Sequence, residues 1–387
     1  MNSTRRNFLS FLSATTLFSA LPSFLRAKAL QTKYLILVEL RGANDGLNTV
    51  IPYTDKYYYR LRPNIAIPKK TILSITKNTG LHYRMEGVAK LFEKGECKII
   101  QNLGYPNPVL SHFRSIELWE KGGDGENSKK SERGWLVDPI STIASKQNLD
   151  AKGIYLDNSG EIFSGDSGFL GPNVIDYEPE ISEPRDATVP IPRNFSLGLL
   201  DKIVNLKKTN AKKLLKIKEK YDKIKWINSL GYGSLGSQLT NVCRLIEAEI
   251  DVPVFKVSIG SFDTHANQLA THELLLREFD RSIYATAEFL KSREVWDNTI
   301  IMTYSEFGRR AKENGSSGTD HGMAAPHFVL GGKIKGGIDG GRPNLSKLDK
   351  NNLVFSVDYR TLYDYVLTSH FGLSENPFKS YRNSIIS

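Results

Sequence analysis

Six side chains of the types that hold divalent cations stand out by their placement in this sequence. Asp45 lies in Asn44-Asp45-Gly46-Leu47-Asn48, and Asp263 and His265 lie in Phe262-Asp263-Thr264-His265. Glu306 follows Ser305, and Asp320 and His321 stand in Thr319-Asp320-His321-Gly322. Carboxylates combined with imidazoles suit zinc, manganese or iron, one or two ions, rather than a soft thiolate site. Neither cysteine, Cys97 or Cys243, is needed for such a site. Taken singly, each motif has an ordinary reading: Asn-Asp-Gly is a common turn, and Asp320-His321-Gly322 follows the Gly/Ser-rich loop Gly315-Ser316-Ser317-Gly318. Their joint placement argues for one site, because every one falls at the end of a predicted strand.

Ser111 is the candidate nucleophile. It opens the predicted helix Ser111-His112-Phe113-Arg114-Ser115, where free backbone N–H groups favour an anionic phosphate or sulfate. A metal would lower the pKa of its hydroxyl for attack, although serine is also a favoured N-cap with no catalytic role. His112 could donate a proton, bind metal or cap the helix, and Arg114 could clamp an oxyanion or pair on the surface. Two features are set aside. Gly231-Tyr232-Gly233-Ser234-Leu235-Gly236 fits G-x-G-x-x-G but follows a Lys-rich helix, not a strand, and so lacks the context for dinucleotide binding. His272, seven residues after His265, could reach the same site but reads first as a surface histidine; His82 and His370 read as ordinary histidines.

The elements that must position these residues alternate. Buried strands are predicted at 33–40, 98–103, 253–259, 298–304 and 326–330, each a short apolar run. Helices are predicted at 85–94, from Ser111 onward, at about 196–225, 237–250 and 268–292, and at 358–371. This pattern is that of an α/β fold, a doubly wound, mainly parallel sheet with helices on both faces. In such sheets ligands bind at the carboxyl ends of strands, where the acidic and His-bearing motifs lie. A Pro-rich stretch at 177–193 reads as an irregular crossing within a single domain over 30–387.

The 387 residues carry a formal charge of +10. Arg5, Arg6, Arg26 and Lys28 supply four, and Lys202 to Lys225 holds ten lysines against Glu219 and Asp222. The charge therefore belongs to a leader and one basic helix, which argues against a nucleic-acid partner and leaves an anionic surface as the minority partner of that helix. Residues 1–29 read as a signal peptide. Thr4-Arg5-Arg6-Asn7-Phe8-Leu9 precedes a weakly apolar stretch, and Ala27-Lys28-Ala29 provides a cleavage site. The arginine pair followed by x-Phe-Leu is similar to signals of the twin-arginine export route, which implies the export machinery as a partner and a periplasmic or secreted product.

Arg41-Gly42-Ala43-Asn44-Asp45-Gly46-Leu47-Asn48, Tyr105-Pro106-Asn107-Pro108, Ser111-His112-Phe113-Arg114-Ser115, Phe262-Asp263-Thr264-His265-Ala266-Asn267, Ser305-Glu306-Phe307-Gly308-Arg309 and Thr319-Asp320-His321-Gly322 together resemble an exported bacterial family. It is known as domain of unknown function 1501, and it looks like a branch of the alkaline phosphatase and sulfatase superfamily. The resemblance implies a bimetal site at strand ends. Asp45 resembles that superfamily's first metal-binding Asp, and Asp263 with His265 its later Asp/His pair, here more closely spaced. By strand context Ser305-Glu306 takes the place of a further Asp-His pair and His321 that of a later His; by letters alone the pair is Asp320-His321 and the later His is His327. The implied function is a metal-dependent hydrolase of phosphate or sulfate esters, with Asp263, His265 and His321 on one metal and Asp45 and Glu306, with or without Asp320, on a second. The alternative is a metal-stabilised binding or assembly protein on the same scaffold.

Overall fold

The computed structural model describes residues 32–125, 131–175, 211–224 and 227–382. The signal segment 1–29 and the crossing at 177–193 lie outside them.

Nine strands form one sheet. In chain order they are β1 (Tyr34–Leu40), β2 (Cys97–Gly104), β3 (Gly153–Tyr155), β4 (Phe169–Leu170), β5 (Val254–Ile259), β6 (Thr299–Tyr304), β7 (Ala325–Gly331), β8 (Gly337–Asp339) and β9 (Val357–Asp358). Their spatial order is β8-β2-β7-β6-β1-β5-β3-β4, with β9 also paired to β2. All pairings are parallel except those of β7, which runs antiparallel to β2 and to β6. β1 lies between β5 and β6 and is buried on both faces along all seven residues, as its continuous apolar run requires.

Alternate β1 residues enter different cores. Tyr34, Ile36, Val38 and Leu40 pack with α1 (Glu86–Glu93) and with two later helices, Gly233–Glu247 and Gln268–Ser292. Leu35 and Leu37 face the opposite core with Leu118 and Trp119 of α2 (His112–Lys121) and with the C-terminal helix from Arg360. The sheet is thus mainly parallel and covered on both faces, as the sequence predicts. The two later helices are α3 (Gly233–Glu247) and α4 (Gln268–Ser292). Gly233 opens α3, so the glycine string runs from a turn into a helix and meets no strand.

The described part of the basic helix, 211–222, is helical. Lys216 and Lys220 both pair with the buried Asp150, at 2.7 and 2.9 Å, so part of its charge is spent on its own protein. Cys97 in β2 and Cys243 in α3 are both buried and free. No helix among the described residues is long and apolar enough to cross a membrane.

Candidate metal centre

The centre is built from four chain segments. α2 supplies His112; the loop after β5 supplies Asp263 and His265. The loop after β6 supplies Glu306, and a two-residue strand, His321–Gly322, supplies His321. That strand pairs antiparallel with Gly308–Arg309, which folds the long loop between β6 and β7 back over the sheet end. Glycines let the loops touch. Gly42, at φ +103°, would place a Cβ 2.6 Å from the Asp263 nitrogen, and a Cβ on Gly318 would lie 2.3 Å from the His265 carbonyl carbon.

His112, Asp263 and His321 offer ligand atoms within 4.8 Å of one another, the one such group of three or more among the described residues. His112 Nε2 is 3.1 Å from His321 Nε2 and 3.5 Å from Asp263 Oδ2. His265 adjoins them: its Nε2 is 3.0 Å from His321 Nε2 and 3.0 Å from Asp263 Oδ1. Two of the imidazoles, His112 and His321, have their other nitrogen anchored by a hydrogen bond, and the third faces a carboxylate at longer range. His112 Nδ1 is 3.0 Å from Glu306 Oε1, His321 Nδ1 is 2.9 Å from the Leu110 carbonyl oxygen, and His265 Nδ1 is 3.6 Å from Asp320 Oδ1. An N–H at Nδ1 serving an acceptor leaves the Nε2 lone pair free to face the centre, which is how metal-binding histidines are usually held.

This donor set fits a divalent cation. Metal–ligand bonds of about 2.0–2.1 Å in a tetrahedron separate neighbouring ligand atoms by roughly 3.3 Å, close to the 3.1–3.5 Å among His112, Asp263 and His321. The electrostatics agree. Burial would raise the carboxyl pKa of Asp263, but the Arg309 guanidinium beside it holds it below the ordinary value. The hydrogen bond to Glu306 raises His112 against the opposing effect of burial, whereas burial lowers His321.

The remaining site candidates stand differently. Glu306, 2% exposed, accepts from the Gly42 and Ala43 N–H groups (2.8 and 3.0 Å), from the Ser305 hydroxyl (2.8 Å) and from His112. It stands behind His112 instead of among the converging donor atoms. Asp45 is fully buried in a two-pronged ion pair with Arg62, Nη1 to Oδ2 at 2.6 Å and Nη2 to Oδ1 at 2.9 Å, and it also accepts from Leu47 N–H and Gln268 Nε2. Asp320 accepts from Asn314 Nδ2 at 3.1 Å and faces His265. Arg114 pairs with Glu117 one turn along α2, at 2.7 Å. His327 is buried inside β7, 3.4 Å from Thr303 Oγ1 and edge-on to Trp119, and burial lowers its pKa to about 3. Ser111 is the exposed N-cap of α2, and its hydroxyl makes no capping bond. His272, expected at the surface, is instead buried against Asn44.

Arg62 and Gln268 have no signal in the sequence, and Arg309 and Phe307 stand in the Ser305–Arg309 motif with no role assigned. Arg309 is buried among loop carbonyls beside Asp263. Arg62 holds Asp45. Gln268, the first residue of α4, accepts from Thr264 and Thr319 hydroxyls while donating to Asp45. Phe307 packs its ring on both His112 and His321, at 4.9 and 4.6 Å between centroids.

A family model described as a protein of unknown function, DUF1501, matches residues 207–364. The match takes in Asp263, His265, Glu306, Arg309 and His321, while Ser111 and His112 lie outside it. Among solved structures the chain is similar to a protein in the alkaline phosphatase superfamily from Vibrio parahaemolyticus, at 11% identity and TM-score 0.40, over 84% of this chain and 71% of that one. It is similar to the lipoteichoic acid synthase LtaP from Listeria monocytogenes, at 10% identity and TM-score 0.39, over 81% and 69%. It is also similar to the PsFucS1 sulfatase from Pseudoalteromonas sp., at 13% identity and TM-score 0.35, over 86% and 69%. No curated protein matches the sequence.

Proposed function

We propose that the protein is an exported, metal-dependent hydrolase of phosphate or sulfate esters, small or polymer-borne, working from a single-metal centre. His112, Asp263 and His321 would hold the cation, zinc or manganese by the chemistry of the donors, leaving a fourth position open with His265 adjoining it. The observation that carries this reading is the convergence of His112 Nε2, His321 Nε2 and the Asp263 carboxylate, with both imidazoles backed by an acceptor and Ser111 at the N-cap of the helix that bears His112. A cation bound there supplies Lewis acidity to an ester oxygen and eases loss of a hydroxyl proton.

The chain supplies the rest. Ser111 is exposed and uncommitted at the start of a ten-residue helix, whose first N–H groups favour the negative charge of a phosphoryl or sulfuryl group. Its oxygen bonds to phosphorus or sulfur while its proton passes to water. The ester alcohol leaves with a proton from water, and a second water then releases Ser111. Glu306 keeps His112 in the tautomer that presents Nε2. The twin-arginine pattern at the N-terminus supports export, and a route that carries folded proteins suits a preloaded metal.

Metal content by elemental mass spectrometry, with p-nitrophenyl phosphate and sulfate assayed on the same samples, tests this. About one metal per chain is expected, lost in Asp263→Ala and His321→Ala. Ser111→Ala should keep the metal and lose turnover. Folded protein that takes up neither zinc nor manganese overturns the proposal.

One observation favours the second reading, a metal-stabilised binding or assembly protein. Asp45 and Glu306, the residues a second metal would require, are already committed to Arg62 and to the Gly42–Ala43 backbone. Stoichiometric metal with no ester turnover would establish it.

A further inference from the structure

Asp263 is the charged donor of the proposed centre, and its side chain is 45% exposed. A carboxylate so placed can bind a cation through one oxygen or close both oxygens on it. Arg309 stands behind it with no exposure of its own. Its Nε donates to the Ala43 carbonyl (2.8 Å) and its Nη1 to that of Thr319 (2.9 Å). Its Nη2 reaches the carbonyls of Gly42 and Phe262 and Asp263 Oδ1. Its backbone meanwhile pairs with that of His321. One guanidinium thus ties the loop after β1, the loop after β5 and the strand bearing His321 to a single carboxylate oxygen.

We propose that Arg309 is a positioning residue that engages Asp263 Oδ1, the oxygen facing His265 and His321, and so fixes the carboxylate's orientation and limits it to one-oxygen coordination of the cation. This rests on the metal centre proposed above. The planar fork of arginine is what the task needs. Lysine keeps the charge but cannot serve three carbonyl-bearing loops and a carboxylate from fixed directions. Without the fork, Asp263 is free to chelate, the coordination number rises, and the loops carrying the ligands lose their common anchor.

The test compares wild-type protein with Arg309→Lys and Arg309→Met. Zinc affinity is read by competition with a chromogenic chelator, geometry by the visible absorption of the cobalt(II) form, and folding by near-ultraviolet circular dichroism. We expect zinc affinity to fall about 10-fold in the Lys variant and about 100-fold in the Met variant, the range for lost support of a metal ligand. Their cobalt bands should weaken as coordination expands. X-ray absorption of the zinc-loaded wild type should show a single carboxylate oxygen, a readout that stands even if a variant fails to fold. Wild-type affinity and spectra in both folded variants overturn the role, as does a two-oxygen carboxylate in the wild type. A wild type that binds neither zinc nor cobalt instead removes the metal centre itself.

Discussion

Glu306 accepts hydrogen bonds from the Gly42 and Ala43 backbone and from His112 Nδ1, and shares the Ser305 hydroxyl proton with the Leu40 carbonyl. An ionised carboxylate offers about four lone-pair sites, so most of its capacity is already used. Burial would raise its pKa, yet these donors, His112 first, hold it below the ordinary range. Glu306→Gln would turn an NH2 group toward donors and weaken the hold on His112. We expect zinc affinity to fall roughly 10- to 100-fold, measured by chelator competition. At this scale the sequence reveals donors but not their order of contact. Asp263, His265 and His321 are legible because Asp and His cluster at strand ends. Whether a carboxylate binds metal or supports the residue that does depends on partners far away in the chain. Arg309 closes the Ser305–Arg309 motif, but nothing local reveals its role, since its partners are the carbonyls of residues 42, 43, 262 and 319.

At the scale of elements, the loop leaving β1 does its work through Asp45. Burial opposes ionisation of that carboxyl, and Arg62 more than offsets it. With Arg62 itself fully buried, removing one partner leaves an uncompensated charge. Asp45→Asn should therefore cost about 3–5 kcal/mol of stability, read by chemical denaturation, while metal content stays at the wild-type level. Loss of metal from a folded Asp45→Asn protein would instead make Asp45 a ligand. The long strands and helices are readable from periodicity, and α4 agrees with its predicted span of 268–292. The strands β3, β4, β8 and β9, of two or three residues each, are too short for any periodic signal. Nor does sequence pattern announce that β7 runs backwards. The segment before it holds no crossover helix among the elements described, only the site loop and its two-residue strands, so the chain returns directly alongside β6.

Across the whole molecule, a charge network lies between the sheet and α2. Lys256 of β5, with no exposure, meets Glu39 of β1 at 2.9 Å, Glu120 of α2 at 3.6 Å, and Asp157, while Tyr304 of β6 donates to Glu120 at 3.1 Å. Arg41 reaches Glu39 and Asp157 from the rim. Burial pushes Glu120 up to about 7, against the pull of Lys256. A carboxyl raised in the folded state keeps its proton there after the unfolded chain has lost it. Its contribution is therefore greatest at low pH and declines as pH rises from about 4.5 to about 7. Glu120→Gln, fixed in the neutral form, should match the wild type near pH 5 and exceed it near pH 8 by roughly 1–3 kcal/mol. Thermal denaturation across that range checks the sign, and a constant difference would refute it.

Cys97 and Cys243 lie in the same apolar core without bonding, and the chain has no other cysteine. Every cross-connection in this fold is therefore non-covalent. The molecule can reach its final form in a reducing compartment and keep it after transfer to an oxidising one, with no redox step on the way. Melting temperatures with and without a thiol reductant should coincide.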